Sequence, residues 1–321
     1  LLIIGSTALA YSLFSRSTGN IPDFRSPVDT DILCNEDELQ TLLLDVAAND
    51  QYHEIKMLSP THYTIKANKS IFEITVAKKG SSDAAYMQLA KERMLPRERH
   101  VYSQLAHYAT PDMLYSMKRS HRYYPRNWKK HMEDYHLLKT MVGDADALAE
   151  ITKQREQETE KRLGKLKTPS LMKSSTEFFN DNVSNKIFIH DEMHEIMAHR
   201  ERPMFEYFKE PGNTVKCSKA MFFQLTLKER VQAVLEEAYV IALERGIVPM
   251  MYDMGRPVLS RDAFEWAVMR IGTTLCSGWF REFAVESYPA VMAMYNPAYV
   301  AKFLSAVSEG RIKRIERTIA A

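Results

Sequence analysis

The sequence predicts an α+β protein, with a small mixed β-sheet domain at the N-terminal end and a mainly α-helical C-terminal domain. Three observations lead there. Strand-like runs concentrate in residues 1–80, apolar residues recur at helical spacing from Asp83 onward, and a charge-rich stretch at 150–175 separates two parts with apolar residues of their own. A chain of 321 residues is also long enough to split, since single cores stop growing beyond ~250–300 residues. The expected division is 1–145 for the sheet domain with a helical extension, 146–175 for a solvated charged helix and linker, and 176–321 for the helical domain.

In chain order, Leu1 to Ile4 is a short apolar run closed by Gly5-Ser6, and Thr7 to Phe14 reads as helical turns. Gly19, Asn20, Pro22 and Pro27 mark a loop, after which Val28 to Leu33 alternates as a strand. Asn35 or Asp37 can cap a helix reaching about Ala48, with Leu39, Leu42, Leu43 and Val46 on one face. Residues 62–67 and 70–78 read as strands joined by an Asn68-Lys69 hairpin turn. Segments 84–94, 97–109, 111–121 and 127–142 all read as helical, and further helices are expected around 188–200, 226–245, 260–283 and 297–316.

Lysine and arginine number 43 against 41 acidic residues, so no global field points to nucleic acid or to an acidic membrane surface. The apolar run at the start is too short to span a bilayer, which takes ~20 residues, and a cytoplasmic location without a membrane partner is expected. Cys34, Cys217 and Cys276 are far apart and odd in number, which suits buried thiols in a reducing compartment better than a disulfide framework.

The chemistry concentrates near residue 30. In a strand, residues two apart share a face, so Asp29 and Asp31 should project together. Paired carboxylates repel unless a cation lies between them, and a hard divalent ion such as Mg²⁺ takes such oxygen ligands together with phosphate and water. Glu73 adds a third acid in the middle of the run "IFEITV", where an ionisable group is costly unless exposed or paired. Gly5-Ser6, between a strand and a helix, lets backbone N–H groups face an anion at close approach.

Strand, Gly5-Ser6, helix, then Asp29-x-Asp31 on a second strand and Glu73 on a later one resembles the nucleotidyltransferase superfamily with the DNA polymerase β-like fold. Arg25-x-Pro27-x-Asp29-x-Asp31 looks like the motif run of its AbiEii-type subgroup. The resemblance covers roughly residues 1–80, with a long loop between the first helix and Arg25. It implies transfer of a nucleoside monophosphate from an NTP to a protein, small-molecule or nucleic-acid acceptor. Asp29, Asp31 and Glu73 would hold Mg²⁺ or Mn²⁺, Glu73 with the option of acting as base, and Gly5, Ser6 and Arg25 would hold the nucleotide.

Two later segments add candidates. The basic, aromatic-interleaved run 117–136 carries Lys118 and Arg122, which could contact the triphosphate or acceptor; a solvated helix pair over packed aromatics explains it equally. His190, Asp191, His194 and His199 have helical spacing and look like part of the metal signature of HD-domain phosphohydrolases. Its missing ligands would have to come from His131 or His136 and from Asp253 or Asp262. Three readings therefore remain: a nucleotidyltransferase, an HD-type phosphohydrolase acting on nucleotides, and a non-catalytic nucleotide-binding protein on a nucleotidyltransferase-like scaffold.

Overall fold

The computed structural model describes residues 1–16, 24–50, 53–67, 70–95, 97–124, 127–142, 148–166, 186–188, 219–244, 261–275, 278–298 and 314–316. Contacts divide the chain into two units, one of residues 1–121 and 134–162, the other of 122–133 and 163–321.

The first unit is built on a mixed seven-stranded sheet. Its strands are β1 (Leu2–Ile4), β2 (Thr30–Cys34), β3 (His53–Ser59), β4 (His62–Ala67), β5 (Ser70–Val76), β6 (Arg97–Val101) and β7 (Gln104–Tyr108). They lie in the order β3-β4-β5-β2-β1-β7-β6. At the centre, β2 runs antiparallel to β1 and parallel to β5, and β1 runs parallel to β7. Leu2, Ile3, Ile32, Leu33 and Ile74 are almost fully buried, so the central strands form the core, as their apolar runs require.

Helix α1 (Gly5–Arg16) follows β1 directly, and α2 (Glu36–Asn49) follows β2. The expected Asn35 cap is present and closes a capping box with Glu38, satisfying orphan N–H groups at the helix start. Leu39, Leu42 and Val46 form the buried face of α2.

Four expectations for this unit need correction. The strand expected from Val28 begins at Thr30, because Thr7 Oγ1 donates to the Asp29 carbonyl at 2.8 Å and takes it out of the ladder. Strand alternation therefore fixes the face of Asp31 but not that of Asp29. Residues 53–59, which carried no recognised strand signal, form β3, exposed over nearly its whole length.

The third correction is larger: 97–109 reads as a helix but folds as the β6–β7 hairpin. Pairing decides it, since β7 aligns with β1 through Leu2–His107 and Ile3–Tyr108 and supplies backbone partners that an isolated helix would forgo. The hairpin also clasps α2. Gln104 Nε2 donates to the Glu38 carbonyl at 2.9 Å, Ser103 Oγ donates to Asp45 at 2.5 Å, and Tyr102 OH donates to Asp50. Tyr102 reaches Phe72 of β5 with ring centroids 6.2 Å apart, so the sheet curls until non-neighbouring strands meet.

Three helices complete the unit, α3 (Ser82–Glu92), α4 (Pro111–Arg119) and the C-terminal part of α5 (Trp128–Val142), joined by α6 (Ala149–Leu166). The fourth correction concerns α6, expected as a solvated helix. Thr152, Arg155 and Thr159 are buried, and Arg155 Nη1 meets Asp83 Oδ1 at 2.5 Å while Glu158 accepts from the Ser82 hydroxyl at 2.6 Å. Ser116 links Tyr86 and Thr152, each oxygen 2.5 Å away, so α3, α4 and α6 share one buried hydroxyl network.

The second unit contains helices α7 (Lys219–Gln224), α8 (Leu227–Glu244), α9 (Arg261–Arg270), α10 (Gly278–Glu286) and α11 (Tyr288–Ala293), with a π-helical turn at Ile271–Leu275 after α9. Phe222 packs against Trp279, Phe280 and Phe283, and Tyr239 against Phe264, giving the unit an aromatic core. A short pair, β8 (Lys186–Phe188) with β9 (Arg314–Glu316), replaces the end of the helix expected over 297–316, its backbone groups bonding across strands instead of along a helix. The mixed sheet with a largely helical remainder bears out the α+β class.

Candidate functional site

The site grows from the junction of β1 and α1. Gly5 takes φ +66°, a left-handed conformation that costs glycine little. A Cβ placed on it would fall 1.8 Å from Asp31 Oδ2, so the Asp31 carboxylate lies against the bare α-carbon. The glycine read in the sequence as room for a phosphate is first of all room for Asp31.

Register then places Glu73. Asp31 stands opposite Ile4 on β1 and opposite Glu73 on β5, and register partners on neighbouring strands face the same way. Two carboxylates thus sit side by side at the middle of the sheet, Asp31 half-buried and Glu73 exposed. Asp29, half-buried, precedes β2 and is anchored through its carbonyl by Thr7.

A cationic group stands beside the Gly5-Ser6 turn. Arg25 Nη2 lies 3.4 Å from the buried Ser6 hydroxyl and forms an ion pair with Asp134. Lys118 Nζ reaches the other oxygen of Asp134 at 2.7 Å. Asp134 has no exposed side-chain surface, whereas Arg25 keeps 34% of its own. One buried carboxylate from α5 therefore gathers two cations from distant parts of the chain and keeps the Arg25 guanidinium within reach of solvent. Sequence reading missed Asp134. Its only signal was a lone acid on the buried side of a basic helix, beside Met132 and Tyr135, where a carboxylate requires a partner.

The remaining candidates fall elsewhere. Arg122 belongs to the second unit, where its guanidinium lies 4.8 Å from the Tyr123 ring centroid. Burial raises the Tyr123 phenol above its ordinary range. His131 meets Tyr124 edge-on, His136 meets Tyr135 edge-on, and Asp262 sits in the first turn of α9. His190, Asp191, His194, His199 and Asp253, with the helix expected over 188–200, lie outside the described residues, as do Cys217 and Cys276 and the Asn68-Lys69 turn. Cys34 is buried, and that burial pushes its thiol up to about 12, with the nearby Glu38 charge adding to the shift.

Among the described residues no three His, Cys, Asp or Glu side chains group closely enough to hold a metal by themselves. Asp31 and Glu73 nonetheless fit Mg²⁺, which is commonly held by one or two carboxylates with its other positions left to water and phosphate. No helix among the described residues is long and apolar enough to cross a membrane.

Two family comparisons match the chain. The family described as Domain of unknown function (DUF7275) matches residues 113–304, and that described as Domain of unknown function (DUF7277) matches residues 1–141. No curated protein matches the chain.

Proposed function

The chain belongs to the DUF7275 family, and we propose that its N-terminal unit is an Mg²⁺- or Mn²⁺-dependent nucleotidyltransferase that moves a nucleoside monophosphate from an NTP to an acceptor. The observation that carries this reading is the pairing of Asp31 with Glu73 on adjacent parallel strands, with Gly5 opened to receive the Asp31 carboxylate. Such an arrangement supports the resemblance noted above to nucleotidyltransferases of the DNA polymerase β-like fold.

Asp31 and Glu73 would hold the divalent ion, which would supply charge neutralisation for the triphosphate and the attacking oxygen. The residues of the chain position and neutralise. Asp31 and Glu73 offer the two central carboxylates, with Asp29 close by in sequence. Arg25 and Lys118, gathered on Asp134, would bring positive charge to phosphate oxygens, and the half-buried Arg25 side chain, 34% exposed, is the one a phosphate would reach from solvent. An acceptor hydroxyl attacks the α-phosphorus and gives its proton to Glu73 or to solvent. The bond to the bridging oxygen of the β-phosphate breaks, and pyrophosphate leaves. Catalysis is then mainly alignment and charge stabilisation.

Radiolabelled NTPs incubated with the protein, Mg²⁺ and cell lysate test the proposal. Label should move onto an acceptor with wild-type protein and stay in the NTP when Asp29→Ala and Asp31→Ala are combined. Equal turnover by the two proteins would remove the assignment. Nucleotide binding without any turnover would favour the second reading, a non-catalytic nucleotide-binding protein on the same scaffold.

A further inference from the structure

The sheet ends at β3, and its outer edge has no strand beside it among the described residues. An open edge offers a row of backbone donors and acceptors to another strand. β3 is unusual for such an edge in being apolar as well: Ile55, Met57 and Leu58 are 40%, 64% and 60% exposed. Charge is placed between them, Glu54 and Lys56 flanking Ile55, both exposed.

That spacing is self-complementary. If a second β3 is laid antiparallel with Ile55 opposite Ile55, each Glu54 faces a Lys56 of the other copy, and each His53 faces a Met57. Register partners share a face, so the two Glu–Lys pairs occupy one side and an apolar stripe centred on the two Ile55 side chains occupies the other. Shifting by one residue either way sets a charge opposite Ile55. Shifting by two sets Lys56 against Lys56 or Glu54 against Glu54, and a parallel, in-register pairing opposes like charges as well. The matching register uses residues 53–57 and stops where the β3–β4 register shifts, between Met57 and Ser59. Glu54 already accepts from Lys66 on β4 at 2.8 Å, so pairing would set it between two lysines.

We propose that β3 is a homodimerisation edge, joining two copies of this chain antiparallel through residues 53–57 with Glu54 of each copy paired to Lys56 of the other. The interface is small, so association is concentration-dependent. It is independent of the nucleotidyl-transfer reading: β5, which carries Glu73, lies two strands away, roughly 10 Å at ordinary strand spacing.

Light scattering on the full chain over a concentration series tests the pairing. Wild-type protein should rise from the mass of one chain toward that of two. Glu54→Lys alone and Lys56→Glu alone should each hold it at one, and the two substitutions together should restore the rise. Circular dichroism checks that each variant is folded, and these exposed positions should leave the spectrum unchanged. As a second measurement, Ile55→Cys should give a covalent dimer on mild oxidation, and Glu92→Cys, on α3, should not. A wild-type protein that stays monomeric, or a dimer unaffected by either single reversal, would overturn the proposal. So would failure of the folded double variant to recover.

Discussion

Gly5 carries two constraints at one α-carbon, a left-handed backbone and a carboxylate in the space where a side chain would stand. Gly5→Ala should therefore lower unfolding stability by more than the ~1–2 kcal/mol of the left-handed conformation alone, because Asp31 must also move. Urea denaturation measures the loss, and it should be accompanied by loss of divalent-ion binding. Asp134 is the opposite case, a charge whose burial depends on its partners. Asp134→Ala leaves two cations without a common counter-charge and should cost up to ~3 kcal/mol, since breaking one side of a buried pair strands the other; the exposure of Arg25 keeps the cost below that of a fully buried pair. Cys34 gives a pH prediction. Its folded-state thiol titrates at about 12 against ~8.5 for an unfolded cysteine. Its contribution is fully present below the unfolded value and is lost as pH rises toward 12, because the unfolded chain sheds that proton first. Stability should fall between pH 9 and 11, and Cys34→Ala should flatten that part of the curve.

The β6–β7 hairpin shows how an element can contradict its own periodicity. Residues 97–109 place Val101, Leu105, Ala106 and Ala109 at spacings compatible with a helix, and nothing local signals a turn at Tyr102-Ser103. Tyr102 takes φ +55°, a conformation uncommon for a bulky residue, and its phenol is tied to Asp50 at the end of α2. The other Asp50 carboxylate oxygen has no hydrogen-bond partner, and the residue is only 3% exposed. Tyr102→Phe should thus destabilise the unit by ~1–3 kcal/mol, the usual cost of leaving a buried polar group unsatisfied, and raise amide-exchange rates across 97–108. By contrast α2 was fully legible, because its capping box and its Leu39, Leu42, Val46 stripe lie within one short stretch.

For the whole molecule, the proposed site lies inside the first unit, whose residues come from five segments of the chain: Gly5 and Ser6, Arg25 to Asp31, Glu73, Lys118, and Asp134. A ligand that binds only the folded state raises apparent stability by mass action, by ~2.7 kcal/mol at a hundredfold excess over its Kd. NTP with Mg²⁺ should accordingly raise the melting temperature of the wild-type chain, and the Asp29→Ala, Asp31→Ala protein should show no rise. By itself the sequence determined the α+β class, the strand–Gly5–helix start, the capped α2, the β4–β5 pair and the acids worth watching, because each rests on period, caps or residue chemistry within a few positions. Only the tertiary structure decided that Asp31 lies beside Glu73 and against Gly5, that Asp134 gathers Arg25 and Lys118, and that 97–108 joins the sheet. Those depend on pairing register and on buried charge finding its partner across more than a hundred residues, and no local pattern encodes either.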